Sequence, residues 1–170
     1  MRRAARRDIA TIINAIFDPN IDLSVLLPTL LPKAIAWAES LAVDIARHGA
    51  PLDAAEIAIA QRMGVRHAEL IRVVDVDRMP APTDAILREA ASKLGMLGPG
   101  TAGLTLGYGV WVACGQRSMR LLSHEFRHVF QYEAAGGIAA FMPIYLDQVV
   151  RHGYWDAPLE RDARAHETNA

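Results

Sequence analysis

Ser123-His124-Glu125-Phe126-Arg127-His128-Val129-Phe130-Gln131-Tyr132-Glu133 is the stretch that decides how this chain is read. Residues four apart share one face of an α-helix, so His124 and His128 point the same way and their imidazoles can reach one metal ion. An H-E-x-x-H pair of this kind supplies half of a tetrahedral zinc site. Glu125 directly follows the first histidine, where its carboxylate can take a proton from water at the ion and pass it to a leaving amine. With six histidines and eight glutamates in 170 residues, chance would place the motif in about one such chain in a hundred. Leu121, Leu122, Val129 and Phe130 surround it, so the ligand face is expected against a core. A surface helix whose histidines and glutamate make only i, i+4 contacts is the plain alternative. Glu125 and His128 also fit the Glu-x-x-His of di-iron bundles, but that site needs a second copy and the chain has none.

Composition narrows the rest. A length of 170 residues suits one domain with a full core. Eighteen basic against nineteen acidic side chains give no overall basic field, so no nucleic-acid partner is expected. The single cysteine, Cys114, excludes an internal disulfide framework and a cysteine-based zinc knuckle, which leaves histidine and carboxylate as ligands. The arginine-rich start, Arg2, Arg3, Arg6 and Arg7, precedes an apolar run that Asp8 and Asn14 interrupt, with no small-residue cleavage site after it. A cytoplasmic protein is therefore expected. Residues 25–43 are the most apolar stretch, yet Pro28, Pro32, Lys33 and Glu39 argue against a membrane span.

Helices are expected over residues 9–17 and 33–48, the latter stopped by Gly49, and over 53–63 with Asp53 as N-cap. Residues 69–76 read as a strand, and Thr83 or Asp84 caps a helix running to Leu94. Residues 103–112 have strand composition with three glycines. They fit a bulged hairpin, but their place just before the motif favours an edge strand, Leu104 to Val110, that accepts an extended peptide. Gly136 and Gly137 end the motif helix, a further helix covers 138–151, and Asp156 and Pro158 open a last one carrying Glu160. The third ligand must come from this end, where His152, Asp156, Glu160, Asp162 and His166 are all chemically able. Glu160 leads because nearby Ala163 is small enough to pack on the motif helix.

The stretch from Gly103 to Ala165, with Gly103-Leu104-Thr105-Leu106-Gly107-Tyr108-Gly109, the H-E-x-x-H and Tyr154-Trp155-Asp156-Ala157-Pro158-Leu159-Glu160-Arg161-Asp162-Ala163, resembles small bacterial zincin-like metallopeptidase domains of the gluzincin type. The metzincin pattern fails, since Gln131 and Ala134 stand where it needs glycine and histidine. The resemblance implies zinc held by His124, His128 and Glu160, with Glu125 as general base. It departs at Arg164, where the best-known gluzincins carry an acid that orients a ligand histidine. Asp162 is acidic but lies on another helix face. Tyr154 and His152, just before the last helix, are both able to donate to a tetrahedral oxyanion, and Tyr154 is preferred.

The expectation is thus an α+β, mostly helical, zincin-like domain over residues 65–170, with a small sheet beside the motif helix. Residues 1–64 are expected as a helical accessory region packed into the same unit, offering a surface to a protein partner. The expected activity is zinc-dependent hydrolysis of a peptide or protein substrate. The alternative is a metal-stabilised interaction module that keeps the fold without turnover.

Overall fold

A computed structural model describes residues 23–169. Helix α1 (Leu23–His48) is followed by strand β1 (Ala50–Pro51), helix α2 (Ala54–Arg62), a 3-10 turn (Ala68–Leu70), strand β2 (Arg72–Val76) and helix α3 (Ala85–Lys93). Strands β3 (Gly103–Leu106) and β4 (Gly109–Ala113) come next, then helices α4 (Met119–Ala135), α5 (Ile138–His152) and α6 (Pro158–Ala165). The architecture is α+β, 59% helical, with one small mixed four-stranded sheet. The helix expected over residues 9–17 lies outside the described residues.

Local signals place most helix ends. Asp53 and Glu56 form a reciprocal capping box that opens α2. Asp84 accepts from the backbone N–H groups of Ile86 and Leu87 to open α3. Ser118 caps α4, and Gly136 at φ 96° ends it, a conformation glycine adopts without strain. Helix α1 begins ten residues before the expected Lys33 start and runs through Pro28 and Pro32. Both prolines lie on its exposed side, while Leu26, Leu30 and Ala34 hold the opposite side in the core. By length and composition alone α1 could cross a membrane, yet this buried stripe packs on Met142 and Leu146 of α5.

The sheet order is β1-β2-β4-β3, with β2 and β4 parallel and the other pairs antiparallel. The stretch 103–112 is therefore a hairpin, not one strand from Leu104 to Val110. It reverses at Gly107-Tyr108, Gly107 supplying φ 62°, and of its two strands β3 lies at a sheet edge while β4 is internal. Alternation along β3 and β4 separates two layers. Val110 and Val112, with Val73 of β2, pack under Leu122, Phe126 and Val129 of α4, Ile59 of α2 and Met63 at its C-terminal end. Leu106 and Trp111 face the other way, onto Ala38 and Ile45 of α1. Gly103 and Thr105 pair with Val112 and Val110, so they share the α4 side of the edge strand. That side is where the chemistry stands.

Candidate metal centre

Helix α4 delivers His124 and His128 one turn apart, and α6 brings Glu160 to them. Among the described residues, this trio is the group of His, Cys, Asp or Glu side chains whose ligating atoms all lie within 4.8 Å of one another. His124 Nε2 and His128 Nε2 are 3.2 Å apart, His124 Nε2 is 3.5 Å from Glu160 Oε2, and His128 Nε2 is 3.4 Å from Glu160 Oε1. Ligands about 2.0–2.1 Å from a tetrahedral ion are separated by about 3.3–3.4 Å, so these spacings match the edges of such a site. Glu160 is 1% exposed, and its Oε2 is a buried oxygen with no hydrogen-bond partner. A buried acceptor left without a donor is costly, and a cation at this point satisfies it. The three residues could hold a metal ion.

Contacts behind the ligands fix which nitrogen is offered. His124 Nδ1 lies 3.1 Å from Glu167 Oε1, just past α6, and His128 Nδ1 lies 2.8 Å from Gln131 Oε1. Carboxylate and amide oxygens only accept, so each Nδ1 carries a proton and Nε2 is the nitrogen each ring would offer to an ion. Gln131 donates in turn to the Leu159 carbonyl and to Asp162, which also takes a two-pronged ion pair from Arg127 at 2.7 and 3.0 Å. Asp162, on a different face from Glu160 as its position implies, thus reaches His128 through Gln131. The acid that faces His124 is Glu167, while Arg164 stands one turn after Glu160 on α6. Tyr145 of α5 donates to Glu160 Oε1 at 2.7 Å and holds the carboxylate in place.

Electrostatics favour a cation here. Burial alone would lower His128, but the Glu160 and Glu125 carboxylates lift it to about 9. Burial alone would raise Glu160, but the two imidazoles and the Tyr145 hydroxyl hold it well below the usual carboxylate range. Without an ion, the site retains a proton in the ion's stead.

Glu125 is buried, and its Oε2 accepts from Thr105 Oγ1 at 2.6 Å. Its carboxylate lies where a side chain on Gly103 would stand; a Cβ there would overlap it. The glycine of the edge strand is therefore a close-approach residue. Tyr154 borders the same cleft of about 460 Å³, together with Gly103, His124, Glu125, Glu160 and Arg164. Burial, then the charges of Glu160 and Glu125, pushes the Tyr154 phenol up, so it stays protonated and able to donate. A larger hollow of about 640 Å³ opens between α1, the hairpin turn and the end of α4, but it carries none of these groups. Chemistry, not volume, marks the site.

His152 and Asp156 are exposed and stand apart from the trio, and His166 Nδ1 faces the Asp162 carbonyl at 2.8 Å. Asp156 does not cap α6. Pro158 occupies the first turn, which puts Ala157 at the cap, and Gln148 of α5 accepts from the Leu159 N–H in place of a cap side chain. Glu167, Tyr145, Thr105 and the Gln131–Asp162 pair escaped sequence reasoning. Their roles depend on contacts between elements, and Glu167 lies beyond the helix whose periodicity would have placed it.

No family model, curated protein or solved structure matches this chain.

Proposed function

We propose that this chain is a zinc-dependent hydrolase that cleaves peptide bonds. The observation that carries the reading is the convergence of His124, His128 and Glu160 with one buried carboxylate oxygen left without a donor, beside a second carboxylate on the next residue of α4. Two nitrogens and one oxygen leave a fourth position for water or substrate, the donor set of a catalytic rather than a closed structural zinc site. Zinc bound there would supply a Lewis acid that polarises a carbonyl and acidifies a water.

The chain's own groups do the rest. Glu125 accepts the proton of the attacking water and returns it to the amine nitrogen as the C–N bond breaks, giving one new carboxylate and one new amine. Thr105 keeps the Glu125 carboxylate turned to the edge strand by its 2.6 Å hydrogen bond. Tyr154 donates its hydroxyl proton in a hydrogen bond to the developing oxyanion. Strand β3, at the edge of the sheet, is the strand against which an extended peptide would pair. Zinc-loaded protein is expected to hydrolyse members of a diverse peptide pool, and Glu125→Gln to retain zinc but lose at least about 100-fold in rate. A Glu125→Gln variant as active as the parent would end the hydrolase reading. Bound zinc with no turnover by the parent would favour the interaction module.

A further inference from the structure

Arg164 is a charged side chain in an unusual position. Its side chain is 19% exposed, its guanidinium lies 4.1 Å over the Trp155 ring, and it donates through Nη2 to the Trp155 carbonyl. Ring and carbonyl anchor the group without neutralising it. Its nearest carboxylate is Glu160, with Nη1 3.8 Å from Oε2, too far for a hydrogen bond. Glu160 already faces both imidazoles and Tyr145, and in a loaded centre its charge is engaged by the ion. Arg164 then keeps its full charge and most of its five N–H donors with no anion to meet them.

The other acids of the cleft are also committed. Glu125 is bound by Thr105, and Glu167 is shared between His124 and Arg120. Against these three carboxylates stand Arg120, Arg164 and a divalent ion, so the loaded cleft carries one net positive charge. A planar guanidinium that is mostly buried, anchored from behind and paired only loosely with a carboxylate that the ion would engage is built to take a carboxylate in a two-pronged pair.

Resting on the hydrolase reading above, we infer that Arg164 is a specificity residue that binds a substrate carboxylate next to the scissile bond. Nη1 stands beside a metal-ligand oxygen, and an extended residue spans only about 3.3–3.6 Å. The captured carboxylate therefore belongs to a residue at, or one removed from, the reacting carbonyl. It is either an acidic side chain or the terminal carboxylate of a peptide, and both present the same fork of two oxygens.

The test uses the full zinc-loaded chain and matched peptides carrying Glu, Gln or Lys beside the cleaved bond, each with a free or amidated C-terminus. The carboxylate-bearing peptides are expected to exceed their neutral isosteres by roughly tenfold or more in kcat/KM, mainly through KM. A preference for Glu in amidated peptides assigns the side chain; one for free termini regardless of side chain assigns the terminal group. Arg164→Gln should bring the ratio close to one, and Arg164→Lys, which keeps the charge, should restore part of it. Calorimetric binding of the same peptides to zinc-loaded Glu125→Gln protein supplies a readout independent of turnover and should show the same ordering. Equal affinity for Glu and Gln peptides in that variant, or a preference that survives Arg164→Gln in protein with unaltered melting, overturns the inference. Absence of hydrolysis by the parent counts against the hydrolase reading, and the calorimetric ratio still decides the role of Arg164.

Discussion

Replacing Glu167 tests the metal centre at a residue that touches no ion. Its Oε1 stands 3.1 Å from His124 Nδ1 and its Oε2 2.5 Å from Arg120 Nε, with the side chain 17% exposed. The carboxylate fixes the His124 tautomer and makes Nε2 a better donor to a cation. Loss of such a partner costs about 10–100-fold in metal affinity, or about 1.4–2.7 kcal/mol. Arg120 already neutralises part of the Glu167 charge, and glutamine keeps an oxygen in place, so Glu167→Gln belongs near the tenfold end. Glu167→Ala removes both charge and acceptor and belongs near the hundredfold end. Competition for zinc against a chromophoric chelator, at fixed pH and salt, measures this directly. Arg151→Ala, which removes only an exposed i, i+4 pair with Asp147, is the control expected to leave affinity unchanged. Should Glu167→Ala bind zinc within about twofold of the parent, the tautomer argument, and with it the role of the segment after α6, is wrong.

Gly103→Ala pushes a methyl into the Glu125 carboxylate, so peptide hydrolysis should fall about 100-fold while zinc affinity changes little; retained activity would show that Glu125 works from another position. Glu133, 3% exposed, accepts from the Arg66 and His67 N–H groups and the Tyr108 hydroxyl, so Glu133→Gln should cost about 2–3 kcal/mol in denaturant unfolding at neutral pH. Burial alone would raise that carboxyl, but those donors hold it below its ordinary value of 4.5, so its contribution is full above that value and lost as pH falls through the lower folded one. The gap between parent and Glu133→Gln should accordingly narrow as pH falls below about 4.5; a gap that stays constant into acid refutes the assignment. His128 in the metal-free protein keeps its proton up to about 9, so zinc uptake at neutral pH displaces it, and apparent affinity should climb about tenfold per pH unit toward that value. A plateau reached already at the ordinary histidine value of 6.5 would contradict the field ascribed to Glu160 and Glu125.

What the sequence exposed was local. His124, Glu125 and His128 declare themselves by spacing on one helix, and Asp53, Asp84, Ser118 and Gly136 bound their helices by side-chain chemistry that operates within a few residues. Glu160 was legible because Pro158 starts a helix and Ala163 allows it to pack closely. Helix α1 extends back past Pro28 and Pro32 to Leu23, both prolines lying on its exposed side. The parallel pairing of β2 with β4 and the mid-sheet place of β4 join segments more than thirty residues apart, as in Val73 with Val110, and no short-range pattern records them. The same holds for the supports of the site. Thr105, Gln131, Tyr145 and Glu167 are unremarkable letters in their own segments and acquire a role only when β3, α4, α5 and the tail of α6 meet.

The central claim is that one cation sits between His124, His128 and Glu160. Elemental analysis of the purified chain after exhaustive dialysis, with X-ray absorption at the metal edge, tests it most directly. One zinc per chain, bound through two imidazole nitrogens and a carboxylate oxygen and lost in His128→Ala, is the predicted result. No bound metal, or a stoichiometry that His128→Ala leaves unchanged, would contradict it.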